Sequence, residues 1–465
     1  MMSPIADLLR ETLGPGRVET DEATLKTRRH DYWMASHVRD HAGTPAPSPA
    51  CVVRPACVED VQATLRIAND RRVPVVPFGL GSGVVGGVIA SAEAIVLDMG
   101  SMNAIRFIDP VNLLASFEAG KNGLEAENEV AAQGLTIGHW PQSVAASSVG
   151  GWIATRASGQ FSTAYGNIED IVHSIEAVLP NGDFVVLGKG PRASAGPDLR
   201  HLMMGSEGTL GVITAVTLTL RRAAERRAAA AFEAPDMRAG FEFQREIIQS
   251  GWCPPVVRQY DERESQRLDA RTSACLILMV HEGPAALVAA ETTAVAALAA
   301  TAGVTAAPSD IVDRWLEQRN HVPSWNQFLE RGIVLDTVEI SAGWDDIGDI
   351  YDGATASLKA VEGCLAASAH SSHLYRNGLN LYFTFAVQLG DPLAMEAVYF
   401  DCWRRIMEAT DARGGSLAHH HGIGRVRIPY LERELGAAGV ALLRAIKNAL
   451  DPNGIMNPGV LLPDA

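Results

Sequence analysis

The stretch Pro77-Phe78-Gly79-Leu80-Gly81-Ser82-Gly83-Val84-Val85-Gly86-Gly87 decides how the first half of this 465-residue chain is read. It follows the β-branched run Val73 to Val76 and contains a formal GxGxxG from Gly81 to Gly86. A Rossmann-type dinucleotide fold needs a helix opening directly after such glycines, its N-terminus on the pyrophosphate, and an acidic residue about 20 positions on for the ribose. Here the glycines lead almost at once into another strand-like run, AIVLDM (94–99), and Asp98 comes too early. The Rossmann reading is set aside. Two readings remain: a tight turn between strands, or a loop whose backbone N–H groups converge on phosphate oxygens because no Cβ stands in the way.

Working outward, short β-branched runs (VPVVPF, LLASFEAG, SIEAVLP, FVVLG, GVITAVTLTL) alternate with helical stretches, Val58 to Arg71 and Gly123 to Gln133, from Cys51 to Arg222. That alternation is the pattern of a mixed α/β unit. The arginine- and alanine-rich RRAAERRAAAAFEAP (221–235) reads as a boundary, and its composition also suits an exposed helix. Strands and helices mix again up to about residue 415. A helix is expected over Gly436 to Leu450, stopped by Asp451-Pro452-Asn453-Gly454. The expected organisation is α+β: a helical N-terminal segment (1–47), a mixed α/β domain (48–225), a second α+β domain (226–415) and a C-terminal segment (416–465).

Composition limits the function. With 47% hydrophobic and 20% charged residues the chain is globular, and a formal charge of −15 argues against a nucleic-acid partner. Six scattered cysteines without a close pair fit reduced thiols. The N-terminus lacks a secretory h-region and the C-terminal LLPDA is not a peroxisomal address, so a cytoplasmic protein is expected. The apolar stretch Ala285 to Ala307 is interrupted by Glu291 and reads as an ordinary helix, so no transmembrane segment is expected. A homodimer is compatible with this composition.

Two further segments give the glycine loop a meaning. Pro141 to Trp152 followed by Thr155-Arg156-Ala157-Ser158-Gly159 supplies hydroxyls and small residues for close approach by a large flat molecule, and Met204-Gly205-Ser206-Glu207-Gly208-Thr209-Leu210-Gly211 runs from a tight turn into a strand. In this order and spacing the three resemble the FAD-binding domain of the vanillyl-alcohol oxidase and p-cresol methylhydroxylase superfamily. GGWIATRASG, YGNIEDIV, GPDLRHLMMGSEGTLGVIT and LAHHHGIGRVR most resemble the alkyl-dihydroxyacetonephosphate synthases within it, from about Cys51 onward. The resemblance implies FAD held by Pro77, Gly79, Gly81, Ser82, Gly83, Pro141, Ser143, Ser147, Thr155, Ser158, Glu207, Gly208, Gly211 and Ile213. Some relatives attach flavin covalently to a histidine or cysteine; the 77–87 loop has neither, and the synthases carry a histidine at the place of His139 without such a bond, so non-covalent FAD is expected.

The run His419-His420-His421 offers imidazoles that titrate near neutrality. A histidine run is also found as a plain polar loop; the resemblance assigns it, with Tyr382, to catalysis, and places Arg258 near the flavin. Arg376 is a weaker anion-binding candidate. The synthases carry a substrate-binding arginine shortly before the strand that here reads Thr337-Val338-Glu339-Ile340-Ser341, where this chain has Trp325, with Arg319 and Arg331 off register. Related 2-hydroxy-acid dehydrogenases hold a divalent ion between histidines and a glutamate; His370, His373 and His421 supply imidazoles, but His420 replaces the carboxylate, and no metal is expected. Three functions follow: an FAD-dependent oxidoreductase acting on a small hydroxylated, anionic substrate (a 2-hydroxy acid or alcohol), alkyl transfer of the synthase kind, or a redox-silent flavin-binding protein.

Overall fold

Three sheets account for most of the strands. The first runs β1 (Val18–Glu19), β2 (Cys51–Val53), β4 (Ile95–Asp98) and β3 (Val75–Phe78) in space, with β2, β4 and β3 mutually parallel. The glycine loop is thus the crossover between parallel β3 and β4, and it contains no helix. This is the geometry that excludes a Rossmann unit. The computed structural model describes residues 4–463; the first three and last two residues of the termini read above lie outside the described residues.

The second sheet is antiparallel: β5 (Ile105–Asp109), β6 (Leu114–Glu118), β10 (Val212–Thr219), β8 (Val172–Val178) and β9 (Phe184–Leu187), in that spatial order. A ribbon of β7 (Leu135–Thr136) and β11 (Arg221–Arg222) lies apart from it. Helices cover these sheets where their sequences allow. Val58–Arg71 carries Glu59 and Asp60 in its first turn and Arg71 in its last, matching the helix dipole, and buries Val61, Thr64, Leu65 and Ala68 at helical spacing. Asn122 caps Gly123–Ala131 by accepting from the N–H groups of Leu124 and Glu125.

The third sheet is the largest, with spatial order β15 (Thr305–Ala307), β12 (Arg226–Ala234), β14 (Cys275–Gly283), β13 (Val256–Tyr260), β17 (Cys364–Ser371), β19 (Gly378–Gln388), β16 (Ile333–Gly343), and β18 (Leu374–Tyr375) paired to β19. Its helix-covered face forms the main core with Phe383, Phe385, Tyr399 and Trp403. The helix Ala285–Ala302 is long and apolar enough to cross a membrane by composition alone; it packs Val288, Val295 and Ala299 inward, and its Glu291 meets His281 at 2.7 Å.

Three sequence expectations change. Residues 226–234 are a strand, not an exposed helix: helix-favouring Ala, Arg and Glu are overridden by a nine-residue antiparallel ladder with β14. The C-terminal helix spans Leu431–Leu450 but is broken at Gly436, whose φ of 70° and ψ of 160° leave a separate first turn. The N-terminal segment is not only helical: it lends β1 to the first sheet, while Trp33, Met34 and Val38 join the core of the third. The C-terminal segment also crosses over, hydrogen-bonding Ile455 and Asn457 to Val75.

Candidate active site

The segments assigned to FAD converge. A Cβ on Gly79 would lie 2.4 Å from Ser148 Oγ, one on Gly208 2.9 Å from the Pro77 ring, and one on Gly205 2.9 Å from Arg156 Cδ, so all four segments meet at spacings that only glycine permits. Gly81 sits at a φ of 74°. The N–H groups of Leu80, Gly81, Ser82 and Gly83 have no hydrogen-bond acceptor among the described residues, and the loop is only half-buried apart from exposed Leu80. Free, converging N–H groups are what a pyrophosphate needs. His139 is buried with both ring nitrogens unpartnered, its pKa pushed down to about 3 by burial, and a Cβ on Gly159 would meet Trp140 N at 2.6 Å beside it. These unsatisfied polar groups fit a bound molecule of FAD's size and polarity.

Several side chains assigned to the cofactor are engaged elsewhere. Thr155 donates its hydroxyl to Gly151 O (3.0 Å), Ser147 accepts the Trp152 indole N–H (2.8 Å), and Ile213 lies in the core of the second sheet. Gly211 is needed where a Cβ would lie 2.7 Å from Val178 O. The Glu207 carboxylate accepts the N–H groups of Ile423 (2.7 Å) and Gly424 (2.8 Å), tying the turn to the histidine run. Burial pushes Glu207 up to about 7 against the lowering effect of the Ile423 and Gly424 N–H groups and of Arg427, and the charge of nearby Asp31 adds to the rise. Ser82 and Ser143 keep their hydroxyls free among the described residues, and Pro141 is buried at the edge of the same cluster.

Sheet register builds the second half of the site. His370 on β17 and Glu339 on β16 both stand directly opposite Tyr382 on β19, and opposed residues point to the same face. The His370 and Tyr382 rings stack at 4.9 Å. Tyr382 Oη meets His420 Nε2 at 2.9 Å and His421 Nε2 at 2.7 Å, so the sequence-predicted tyrosine and histidines form one cluster. His419 reaches His420 through their Nδ1 atoms (2.7 Å) and Tyr375 Oη through Nε2 (2.7 Å). Burial lowers His419 to about 4 and holds His420 well below its usual value, with the neighbouring imidazoles adding to it. Burial raises the Tyr382 hydroxyl. The Tyr382 hydroxyl and the His419 and His420 imidazoles are therefore neutral at physiological pH.

Glu339 and Arg427 were not singled out as site residues by the sequence, and both are fully buried. The carboxylate accepts the backbone N–H groups of His420 (3.3 Å) and His421 (2.9 Å), and its Oε2 contacts Arg427 Nη2 (2.6 Å) and His421 Nδ1 (2.8 Å, off the line of the ring N–H). Burial alone would raise Glu339; Arg427 and His421 hold it well below the carboxylate range. Arg427 also donates to the carbonyls of Leu417 and Gly422, pinning both ends of the histidine loop. Glu264 supports His370 in the same manner, held at about 2 by His370 and Arg267 against its burial.

Arg258, on the same face, donates to His370 Nε2 (2.7 Å) and Tyr260 Oη (2.5 Å) and has no carboxylate within salt-bridge distance among the described residues. Arg319, off register in sequence, shares the Trp315 ring with it, the two guanidinium groups lying 5.9 and 5.8 Å from the ring centroid; Arg319 Nη1 donates to Gln160 Oε1 (2.9 Å) and its Nε is buried without a partner among the described residues. Burial, and next the Arg227 charge, lowers Arg319 to about 10. Arg376 is exposed and apart from this cluster. Trp325 stacks on Tyr32 and donates to its carbonyl, so that position is filled by the N-terminal segment. One nitrogen each of His373, His419 and His420 falls within 4.8 Å of the others, a different trio from the one the sequence suggested. The His419 and His420 Nδ1 atoms are spent on each other, and His373 Nδ1 is held by Ser162 (2.6 Å) and Ser158 (3.0 Å).

Residues 49–188 match the FAD binding domain, and residues 223–461 match the C-terminal domain of FAD linked oxidases. The chain is 34% identical over 476 residues to the FAD-linked oxidoreductase YgcU of Escherichia coli (strain K12), covering 99% of this chain and 98% of that one. A solved alkyldihydroxyacetonephosphate synthase superposes with a TM-score of 0.83 at 25% identity, over 98% of this chain and 86% of the other. For p-cresol methylhydroxylase the TM-score is 0.78 at 17% identity, over 98% and 95%, a likeness of fold.

Proposed function

The chain belongs to the FAD-linked oxidase family, an FAD-dependent enzyme by that membership, and from this premise we propose that it oxidises a small hydroxylated anion, such as a 2-hydroxy acid, at Tyr382. Residues 48–225 and 416–465 would hold the cofactor, bound non-covalently, and 226–415 would cap the substrate. The observation that carries the reading is the pairing of a hydrogen-bonded tyrosine–histidine cluster with two cations that lack carboxylate partners among the described residues, Arg258 and Arg319.

Bound FAD would supply the two-electron oxidation at the substrate's carbinol carbon. Arg258 and Arg319 hold the substrate's anionic group by charge-assisted hydrogen bonds. The substrate hydroxyl gives its proton to Tyr382 Oη while the Tyr382 hydroxyl proton passes to His421 Nε2. Glu339 then faces the resulting imidazolium, as the carboxylate of a catalytic triad faces its histidine. The product would be the carbonyl compound, and the proton would rest on His421.

The test is anaerobic mixing of holoprotein with a panel of 2-hydroxy acids and alcohols, followed by flavin absorbance. Bleaching by a hydroxy acid, and not by its neutral alcohol counterpart, is expected; a panel without bleaching removes the proposal. A second reading, alkyl transfer, is favoured by the whole-chain superposition on the synthase. Formation of an ether from acyl-dihydroxyacetonephosphate and a fatty alcohol would establish it.

A further inference from the structure

A chain of hydrogen bonds leads out of the site by way of residues that the reaction itself does not use. From the outside inward it runs Asn167 Nδ2 to Tyr375 Oη (3.2 Å), Tyr375 Oη to His419 Nε2 (2.7 Å), His419 Nδ1 to His420 Nδ1 (2.7 Å), His420 Nε2 to Tyr382 Oη (2.9 Å) and Tyr382 Oη to His421 Nε2 (2.7 Å), and it ends where the Glu339 carboxylate stands 2.8 Å from His421 Nδ1, off the line of a hydrogen bond. Every member between the ends is a phenol or an imidazole, which in its neutral form carries one hydrogen and one accepting position along the chain. A link works only when a hydrogen faces a lone pair.

The inner end is fixed. Glu339, kept ionised by Arg427, places a negative oxygen 2.8 Å from His421 Nδ1, where a lone pair would be repelled and a hydrogen attracted, so a neutral His421 carries its hydrogen on Nδ1 and presents a lone pair at Nε2. Tyr382 must then donate to His421 and accept from His420. His420 is thereby the Nε2–H tautomer, its Nδ1 accepts from His419 Nδ1–H, and His419 Nε2 accepts the Tyr375 hydroxyl. Tyr375 in turn needs a donor from outside, and the Asn167 amide provides one, oriented because Asn167 Oδ1 accepts the Ser158 hydroxyl at 2.5 Å. With neutral histidines this is the one arrangement without a clash of two hydrogens or two lone pairs.

We propose that Asn167, Tyr375 and His419 are positioning residues that act through His420 to aim the Tyr382 hydroxyl at His421, leaving one lone pair of the Tyr382 oxygen open to a substrate hydroxyl. The proposal deepens the reading of Tyr382 as proton acceptor and rests on it for its purpose. The charged groups facing the chain are Glu339 and Arg427 at the inner end, Arg156, Glu169 and Asp170 around Tyr375, and Arg258 beside His370. His373 packs against both His419 and His420, at 5.0 and 5.1 Å between rings.

The order of tautomers is readable without any substrate. In holoprotein labelled with 15N-histidine, the ring-nitrogen spectrum should show His419 as Nδ1–H, His420 as Nε2–H and His421 as Nδ1–H, assigned by single substitutions. Asn167→Asp replaces the outer donor by an acceptor, so five hydrogens remain for the five hydrogen bonds and the contact with Glu339; one histidine of the run should then take up an extra proton, and the imidazolium signal should grow relative to the wild type at the same pH. Tyr375→Phe, which keeps the ring's packing, should release His419 into a mixture of tautomers. The proposal is overturned by a His420 that carries its hydrogen on Nδ1 in the wild type, or by spectra of the run that neither substitution alters. Failure of every substrate to bleach the flavin would remove the oxidation reading while leaving these spectra as they are, so the two outcomes are separable.

Discussion

Replacing Arg427 by Met isolates what holds the histidine run in place. The guanidinium is 1% exposed and Glu339 0%, their atoms 2.6 Å apart, so the substitution leaves a carboxylate buried without its cation. Breaking a buried pair from one side costs about 3–5 kcal/mol. The carbonyls of Leu417 and Gly422 lose a donor as well, which places the cost at the upper end. For a unit of this size each kcal/mol shifts the melting temperature by roughly 2–4 °C, so a fall of at least about 6 °C is expected in calorimetry of the holoprotein. Glu339→Leu alone should fall by a similar amount, for it strands the arginine.

The double variant discriminates. If the cost is that of an unpaired buried charge, removing both charges restores most of the stability, and the two shifts fail to add by the equivalent of about 2 kcal/mol or more. Activity should not return with stability, because the N–H groups of His420 and His421 still lack the Glu339 oxygen that holds them. Melting shifts that simply add, or a double variant that regains the wild-type rate of flavin reduction, would refute the reasoning.

Four other outcomes follow from the geometry. Tyr382→Phe should slow flavin reduction by about 10²–10⁴, the usual worth of acid–base catalysis, with substrate binding by titration little changed. Arg258→Met should weaken binding of an anionic substrate by about 1.5–3 kcal/mol, or roughly 10–150-fold, and leave a neutral alcohol unaffected; equal losses for both would show that the arginine only packs. Burial raises Asp31 from 3.8 to about 7. The folded protein therefore binds the extra proton between these values, so stability falls as pH rises from about 4 to about 7 and is level above; Asp31→Asn should flatten that part of the melting-temperature profile, with an unchanged slope as the contrary result. Acid precipitation of the holoprotein should release all flavin into the supernatant; yellow pellet would mean a covalent link.

The sequence made the first domain legible because its features are local. Glycines with a strand on each side say where a helix cannot begin, and a parallel β3–β4 pair with a helix-free crossover is what that pattern produces. It also located Tyr382 and the histidines, on which the structure places the centre of the cluster. What escaped was non-local. Glu339 reads as one polar residue in a strand until the register sets it opposite Tyr382. Arg319 was set aside as off register, yet the fold packs both it and Arg258 against the Trp315 ring. Residues 226–234 have helix-forming composition, and only pairing with β14 makes them a strand.

The positions of Glu207 and Glu339 explain why a run of three histidines can be held rigidly on a loop. One carboxylate comes from the glycine-rich turn after residue 204 and grips Ile423 and Gly424; the other comes from the large sheet and grips His420 and His421. The loop is thus clamped from two separate cores, one that gathers the glycine segments and one that carries Tyr382, Arg258 and His370. A shift of either core against the other would stretch the clamp before it changed any distance within a single sheet. Charge-assisted bonds to backbone N–H groups fix atoms rather than merely neutralise charge. Glu207 is therefore best understood as what keeps the histidines in register with the segments that meet at Gly79, Gly205 and Gly208, and substitution to Gln, which retains one acceptor oxygen, should be milder than substitution to Ala in flavin-reduction assays.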